Sequence, residues 1–208
     1  VPKTNIYVDG FNLYYGSLKG TPYRWLDLGA HSSRLLPKDR INRIRYFTAS
    51  VSARADNPDA PQRQQVYMRA LETIPGLSIH YGHYLSHETR MPLANPRPGG
   101  ARTVAVVKTE EKGSDVNLAT FLLLDAFQHD YDVAVVISND SDLRLPIEVA
   151  QEQLGIKVGV VNPHPAGRRS RALKPTFFKQ LRTSALVTSQ FPPILNDANG
   201  QIHKPAAW

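Results

Sequence analysis

The stretch NIYVDGFNLYYG, residues 5–16, decides the reading of this chain. It drives an apolar strand straight into a carboxylate, Asp9, and then turns through Gly10 and Asn12. An aspartate that closes a buried strand loses hydration, so it needs a hydrogen-bond donor, a helix N-terminus or a cation beside it. Capping the following turn or helix is the plain alternative, since Asp, Asn and Gly all favour such positions.

Beyond this stretch, short segments rich in β-branched and aromatic residues read as strands: Asn5 to Asp9, Ile41 to Val51, Leu77 to Leu85, Thr103 to Lys108, Asp132 to Ser138 and Ile156 to Val161. Helical patterns lie between them, over Pro61 to Thr73, Val116 to Gln128 and Asp142 to Leu154, the last stopped by Gly155. The middle one is apolar on most faces and is expected to be buried. Strands alternating with helices imply right-handed crossovers and a mostly parallel sheet covered on both sides, an α/β fold. AVVIS and KVGVV lack polar alternation and suit central strands. Ser86 to Arg102 carries three Pro and two Gly, which predicts a long hairpin loop or flap. The expected organisation is one domain over residues 1–183, with residues 184–208 an extended strap packed on it.

The 208 residues suffice for one sizeable core. There is no cysteine, which excludes disulfides and zinc-thiolate sites and permits a reducing, cytoplasmic setting. No apolar run approaches a bilayer's thickness, so no membrane role is expected. Lys and Arg number 25 against 18 Asp and Glu. The excess concentrates between Gln153 and Asn196, where Lys157, Arg168, Arg169, Arg171, Lys174, Lys179 and Arg182 meet no acidic residue. Such a stretch suits a polyanion, although a solvated basic surface produces the same pattern.

Ligands of open parallel sheets sit outside the carboxyl ends of the strands. Asp9 ends the first strand, Asp140 and Asp142 follow AVVIS in SNDSDLRLP, and Asp115 opens the apolar helix after EEKGS. Each alone reads as a cap. Together, carboxylates from separate segments would converge on one rim and repel unless a hard cation neutralised them. Mg²⁺ or Mn²⁺ suits an all-oxygen set, and the scattered histidines disfavour zinc.

VDGFN, KGSDVNLA and VVISNDSDL, in that order, resemble the NYN domain, a branch of the PIN-like nuclease superfamily. The resemblance implies a three-layer α/β/α sandwich with a mostly parallel central sheet and Mg²⁺- or Mn²⁺-dependent endonucleolytic cleavage of RNA. It carries metal binding onto Asp9, Asp115, Asp140 and Asp142, and a catalytic polar role onto Asn12. A further acidic residue, frequent in the family about two helical turns after the Asp115 position, is Phe121 here. Lys112 is a candidate contact to the scissile phosphate, Ser138 and Asn139 are candidates to orient ligands, and Arg168, Arg169 and Arg171 are candidates to bind the RNA backbone.

Single-stranded RNA is the expected partner, with single-stranded DNA an alternative, and a homo-oligomer is compatible with the sequence. A haloacid-dehalogenase-like phosphatase would want a second aspartate where Phe11 stands, and no glycine-rich nucleotide loop occurs. The rival reading is a catalytically weak or inactive PIN-like module that binds RNA or protein.

Overall fold

A computed structural model of the chain describes residues 1–53 and 55–208. Seven strands form one sheet: β1 (Lys3–Asp9), β2 (Arg40–Ala49), β3 (Leu77–Pro92), β4 (Thr103–Lys112), β5 (Val133–Ile137), β6 (Lys157–Asn162) and β7 (Phe177–Gln180). Their order is β4-β3-β2-β1-β5-β6-β7, parallel throughout except for the antiparallel β3–β4 pair. The fold is therefore α/β with a mostly parallel central sheet, as the alternation of patterns predicts.

Two apolar layers flank the sheet. Ile6 and Val8 of β1 face one side with Ile44, Tyr46, Val135 and Ile137, while Tyr7 faces the other with Phe47, Ala134, Val136 and Val160. This alternation follows from the two-residue period of a strand whose both faces are covered. The first layer is closed by α1 (Gly10–Leu13), α2 (Leu28–Leu35) and α3 (Ala60–Leu71). The second layer is closed by α4 (Ser114–Phe127) and α5 (Arg144–Glu152). Residues beyond α6 (Thr183–Val187) return to the first layer, adding Phe191 and, from the hairpin β8 (Ile194–Asp197) with β9 (Gly200–His203), Ile202; Trp208 packs against the same layer.

Two local expectations change, and some short elements go unpredicted. Ser86–Pro92 is strand, not loop: β3 and β4 pair from His83↔Lys112 to Pro92↔Thr103, a two-stranded arm that outruns β2. Its residues are mostly exposed, so the sequence carries no buried alternation to mark a strand. Helix α4 is not buried all round, for Val116 and Phe127 are largely exposed. Short elements α2 and β7 join the fold without a pattern that predicts them. Among the described residues, no helix is long and apolar enough to cross a membrane.

Candidate active site

The topology fixes where a ligand of such a sheet must lie. Chain order runs away from β1 on one side through β2 and β3, and on the other through β5 and β6, so the crevice opens at the carboxyl ends of β1 and β5. Val8 is in register with Ile137, and Ile137 with Val161, which sets Asp9, Ser138 and Asn162 level along this rim. All three side chains are buried.

Asp9 is gripped from two sides. Its Oδ1 accepts the Asn12 N–H at 2.9 Å, capping α1, and its Oδ2 accepts the Ser138 hydroxyl at 2.8 Å. The Ser138 oxygen in turn accepts the Asp140 N–H at 3.1 Å. Asp140 caps the 3₁₀ turn Ser141–Leu143 by accepting the Asp142 N–H at 2.9 Å. Capping is thus real at both aspartates. It does not satisfy Asp9 as an ion: burial, and to a smaller degree the Asp140 charge, push its carboxyl up to about 6 despite the two donors.

Asp115 lies in the first turn of α4. Its carboxyl is pushed up to about 7, first by burial, then by the charges of Asp9, Asp140, Glu111 and Asp142. The four aspartates therefore feel one another across three separate segments. Among the described residues, however, no three His, Cys, Asp or Glu side chains gather as a ready metal-holding group. Glu111, absent from the sequence-based set, accepts both the Ser114 N–H (3.0 Å) and the Ser114 hydroxyl (2.8 Å) with its carboxylate. A glutamate three residues before a helix-opening serine is the signal that could have found it. Gly82 makes this junction possible, since a Cβ there would meet Glu111 Oε1 at 2.3 Å and the Lys112 carbonyl at 2.5 Å.

Asn12 joins the two halves of the rim. Its Oδ1 accepts the Asn139 N–H at 3.0 Å and lies 3.0 Å from His164 Nε2. His164 is a site neighbour that the sequence does not single out, placed by its own N–H bond to Asn162 Oδ1 at 2.9 Å. Asn139 then clasps the basic loop: its amide donates to the Arg168 carbonyl at 2.8 Å and accepts the Ser170 N–H at 2.7 Å. Arg168 and Arg171 stand exposed beside this clasp. Arg169 instead lays its guanidinium 3.5 Å from the centroid of the Phe178 ring. The Lys112 ammonium pairs with Glu110 at 3.4 Å.

Phe121 occupies no acidic pocket. Its ring centroid is 4.1 Å from that of His80, and the Arg45 guanidinium lies 4.4 Å from its ring. Arg45 makes a two-pronged ion pair with buried Asp125, 2.7 Å on each prong, and the Tyr7 hydroxyl donates to the same carboxylate at 2.7 Å. That cluster is a support beneath the rim.

The arrangement has known likenesses. A solved structure of a protein of unknown function from Vibrio parahaemolyticus superposes with a TM-score of 0.52 at 19% identity, covering 88% of this chain and 94% of that one. At that identity it speaks for the fold alone. A curated relative named 6-hydroxy-3-succinoylpyridine 3-monooxygenase, from Pseudomonas putida, is 29% identical over 236 aligned positions, covering 99% of this chain and 75% of the relative. The family model described as NYN domain matches residues 3–179, which include all four rim aspartates and the strands that present them, and on that match this chain belongs to the NYN domain family of PIN-like nucleases.

Proposed function

We propose that this protein is a Mg²⁺- or Mn²⁺-dependent endoribonuclease acting on single-stranded RNA. The observation that carries the reading is the placement of Asp9, Asp115, Asp140 and Asp142, from three separate segments, around the sheet's crevice, where the charges of Asp9, Asp140 and Asp142 all bear on Asp115. A group of oxygen donors that disfavour one another's charge fits a hard divalent cation, which takes one or two carboxylates directly and others through water. The carboxylates assigned to hold it are Asp9, Asp115, Asp140 and Asp142. When bound, such an ion supplies positive charge at the scissile phosphate and a more acidic water.

The chain's own groups do the rest. Ser138 and the Asn12 N–H hold the Asp9 carboxylate in one orientation. Asn12 ties the turn after β1 to the turn after β5 by accepting the Asn139 N–H, which holds the two presenting loops side by side. Asn139 fixes the backbone of the arginine loop against the rim, leaving Arg168 and Arg171 to meet the RNA phosphates. Lys112 is assigned to the same backbone from the opposite edge.

The name of the Pseudomonas relative supplies a second reading, oxygenation of a small heteroaromatic acid, favoured by identity that extends over 99% of this chain. One experiment separates the two. Labelled RNA and matched DNA are incubated with Mg²⁺, Mn²⁺ or EDTA, beside 6-hydroxy-3-succinoylpyridine with reduced nicotinamide and dioxygen. Metal-dependent RNA cleavage that disappears in Asp140→Asn and Asp115→Asn supports the nuclease. RNA binding without turnover makes the protein a PIN-like binding module, and consumption of the pyridine without RNA cleavage favours the second reading.

A further inference from the structure

Beside the rim, a cleft of about 500 Å³ is lined by Gly10, by residues of α1 and the π-helical turn Tyr14–Leu18, and by Trp208. Its wall is aromatic and cationic: Phe11, Tyr14, Tyr15, Lys19, Arg24 and Tyr84 all line it. We infer that this cleft holds the unpaired bases of the RNA strand next to the scissile phosphate, an inference that rests on the nuclease reading for what lies at its end.

Several observations favour this occupant. Gly10, the residue after Asp9, is among the residues that line the cleft, so the cleft adjoins the turn that carries the first rim carboxylate. Gly10 has no room for a side chain, because a Cβ would lie 2.7 Å from the Phe47 carbonyl and from the Tyr46 hydroxyl. Tyr15 is 56% exposed despite being a large ring, and Tyr14 meets it edge-on with centroids 5.2 Å apart. A ring presented to solvent on a braced neighbour is a stacking surface, and every base offers it a face. Lys19 holds its ammonium 5.0 Å from the same ring's centroid, where it also meets a phosphate joining stacked bases. A π-helical turn is a rare local conformation that commonly marks functional sites, and here it carries both tyrosines. The volume exceeds what one base fills and lies within the range of small-ligand clefts. Duplex RNA does not expose its base faces and is excluded by this geometry.

The test measures binding of a fluorescein-labelled decamer of single-stranded RNA in EDTA, where no turnover occurs, and separately the cut sites on a longer RNA in Mn²⁺. Tyr15→Ala should weaken decamer binding by about 5- to 160-fold, the range for losing one base stack. Tyr15→Phe, which keeps the ring, should bind within about twofold of wild type, and Lys19→Ala should weaken binding and lower its salt dependence. Both residues are exposed, so neither substitution threatens the fold. In Mn²⁺, Tyr15→Ala should shift or blur the cut sites. Decamer binding and cut sites unchanged in Tyr15→Ala would overturn the cleft while leaving the nuclease reading standing. Binding of a matched duplex as tightly as the single strand would overturn it too. Loss of binding in Tyr15→Ala, in a protein that cuts nothing, supports the cleft and removes the nuclease reading.

Discussion

Replacing Asp9 by Asn should make the metal-free protein more stable and catalytically dead. Asp9 is 4% exposed, and its carboxyl rises from 3.8 to about 6 on folding. At 1.36 kcal/mol per unit, that is at most about 3 kcal/mol against the folded state once the group ionises. The sign follows from proton counting. Between about pH 4 and pH 6 the folded protein keeps a proton on Asp9 that the unfolded chain has released, so stability falls as pH rises through this window and levels off above it. Asn carries no such charge and retains an oxygen for the Asn12 N–H. The variant should therefore match wild type at about pH 4 and exceed it by about 2–3 kcal/mol at about pH 8, or roughly 4–12 °C in Tm for a chain of this length. Thermal melts in EDTA at both pH values measure this, and millimolar Mn²⁺ should raise the melting point of wild type but not of Asp9→Asn. A variant no more stable than wild type at the higher pH would refute the reasoning, because Asp9 would then be a satisfied cap. Asp9→Ala guards the interpretation, since losing the cap itself costs about 0.5–2 kcal/mol.

Asp125→Ala should destabilise the protein by about 3–5 kcal/mol in thermal or urea melts, because it strands the Arg45 guanidinium and the Tyr7 hydroxyl beneath the rim. Arg168→Ala with Arg171→Ala should reduce the salt slope of single-stranded RNA binding by roughly 0.7 for each phosphate no longer neutralised, measured from about 50 to 200 mM salt, with melting unchanged. Arg169 is left in place there because its guanidinium is stacked on Phe178.

The strands that build the crevice are legible because β5 and β6 are covered on both faces and so lack polar alternation, while β1 shows the apolar run Ile6–Val8 driving into Asp9. The arm made by Ser86–Pro92 is not, since an exposed two-stranded ribbon needs no apolar alternation and its Pro and Gly sit at the tip beyond Pro92. At the site, the aspartates can be found because each is next to a readable strand or helix end. His164 and Asn162 cannot. Their roles come from contacts between Asn12 and a loop 152 positions away, and only the register of β1, β5 and β6 brings those together. Arg169 shows the converse, an exposed residue of the basic loop whose guanidinium packs on a ring from β7, a contact that the charge pattern does not reveal.

The position of β1 in the sheet has a consequence for how the protein is made. Of the seven strands, the first to leave the ribosome is the middle one of the finished sheet, and its partner on one side, β5, begins at Val133. Until that partner emerges, Asp9 has no Ser138 to hold it and the crevice has only one wall. Pairing across so long an intervening stretch is slow, because the loop must close before any contact rewards it. A nascent or truncated chain is thus unable to assemble the rim. The four-carboxylate rim is complete only once the chain has been made through Asp142, so a half-made chain carries none of the arrangement that the finished sheet presents.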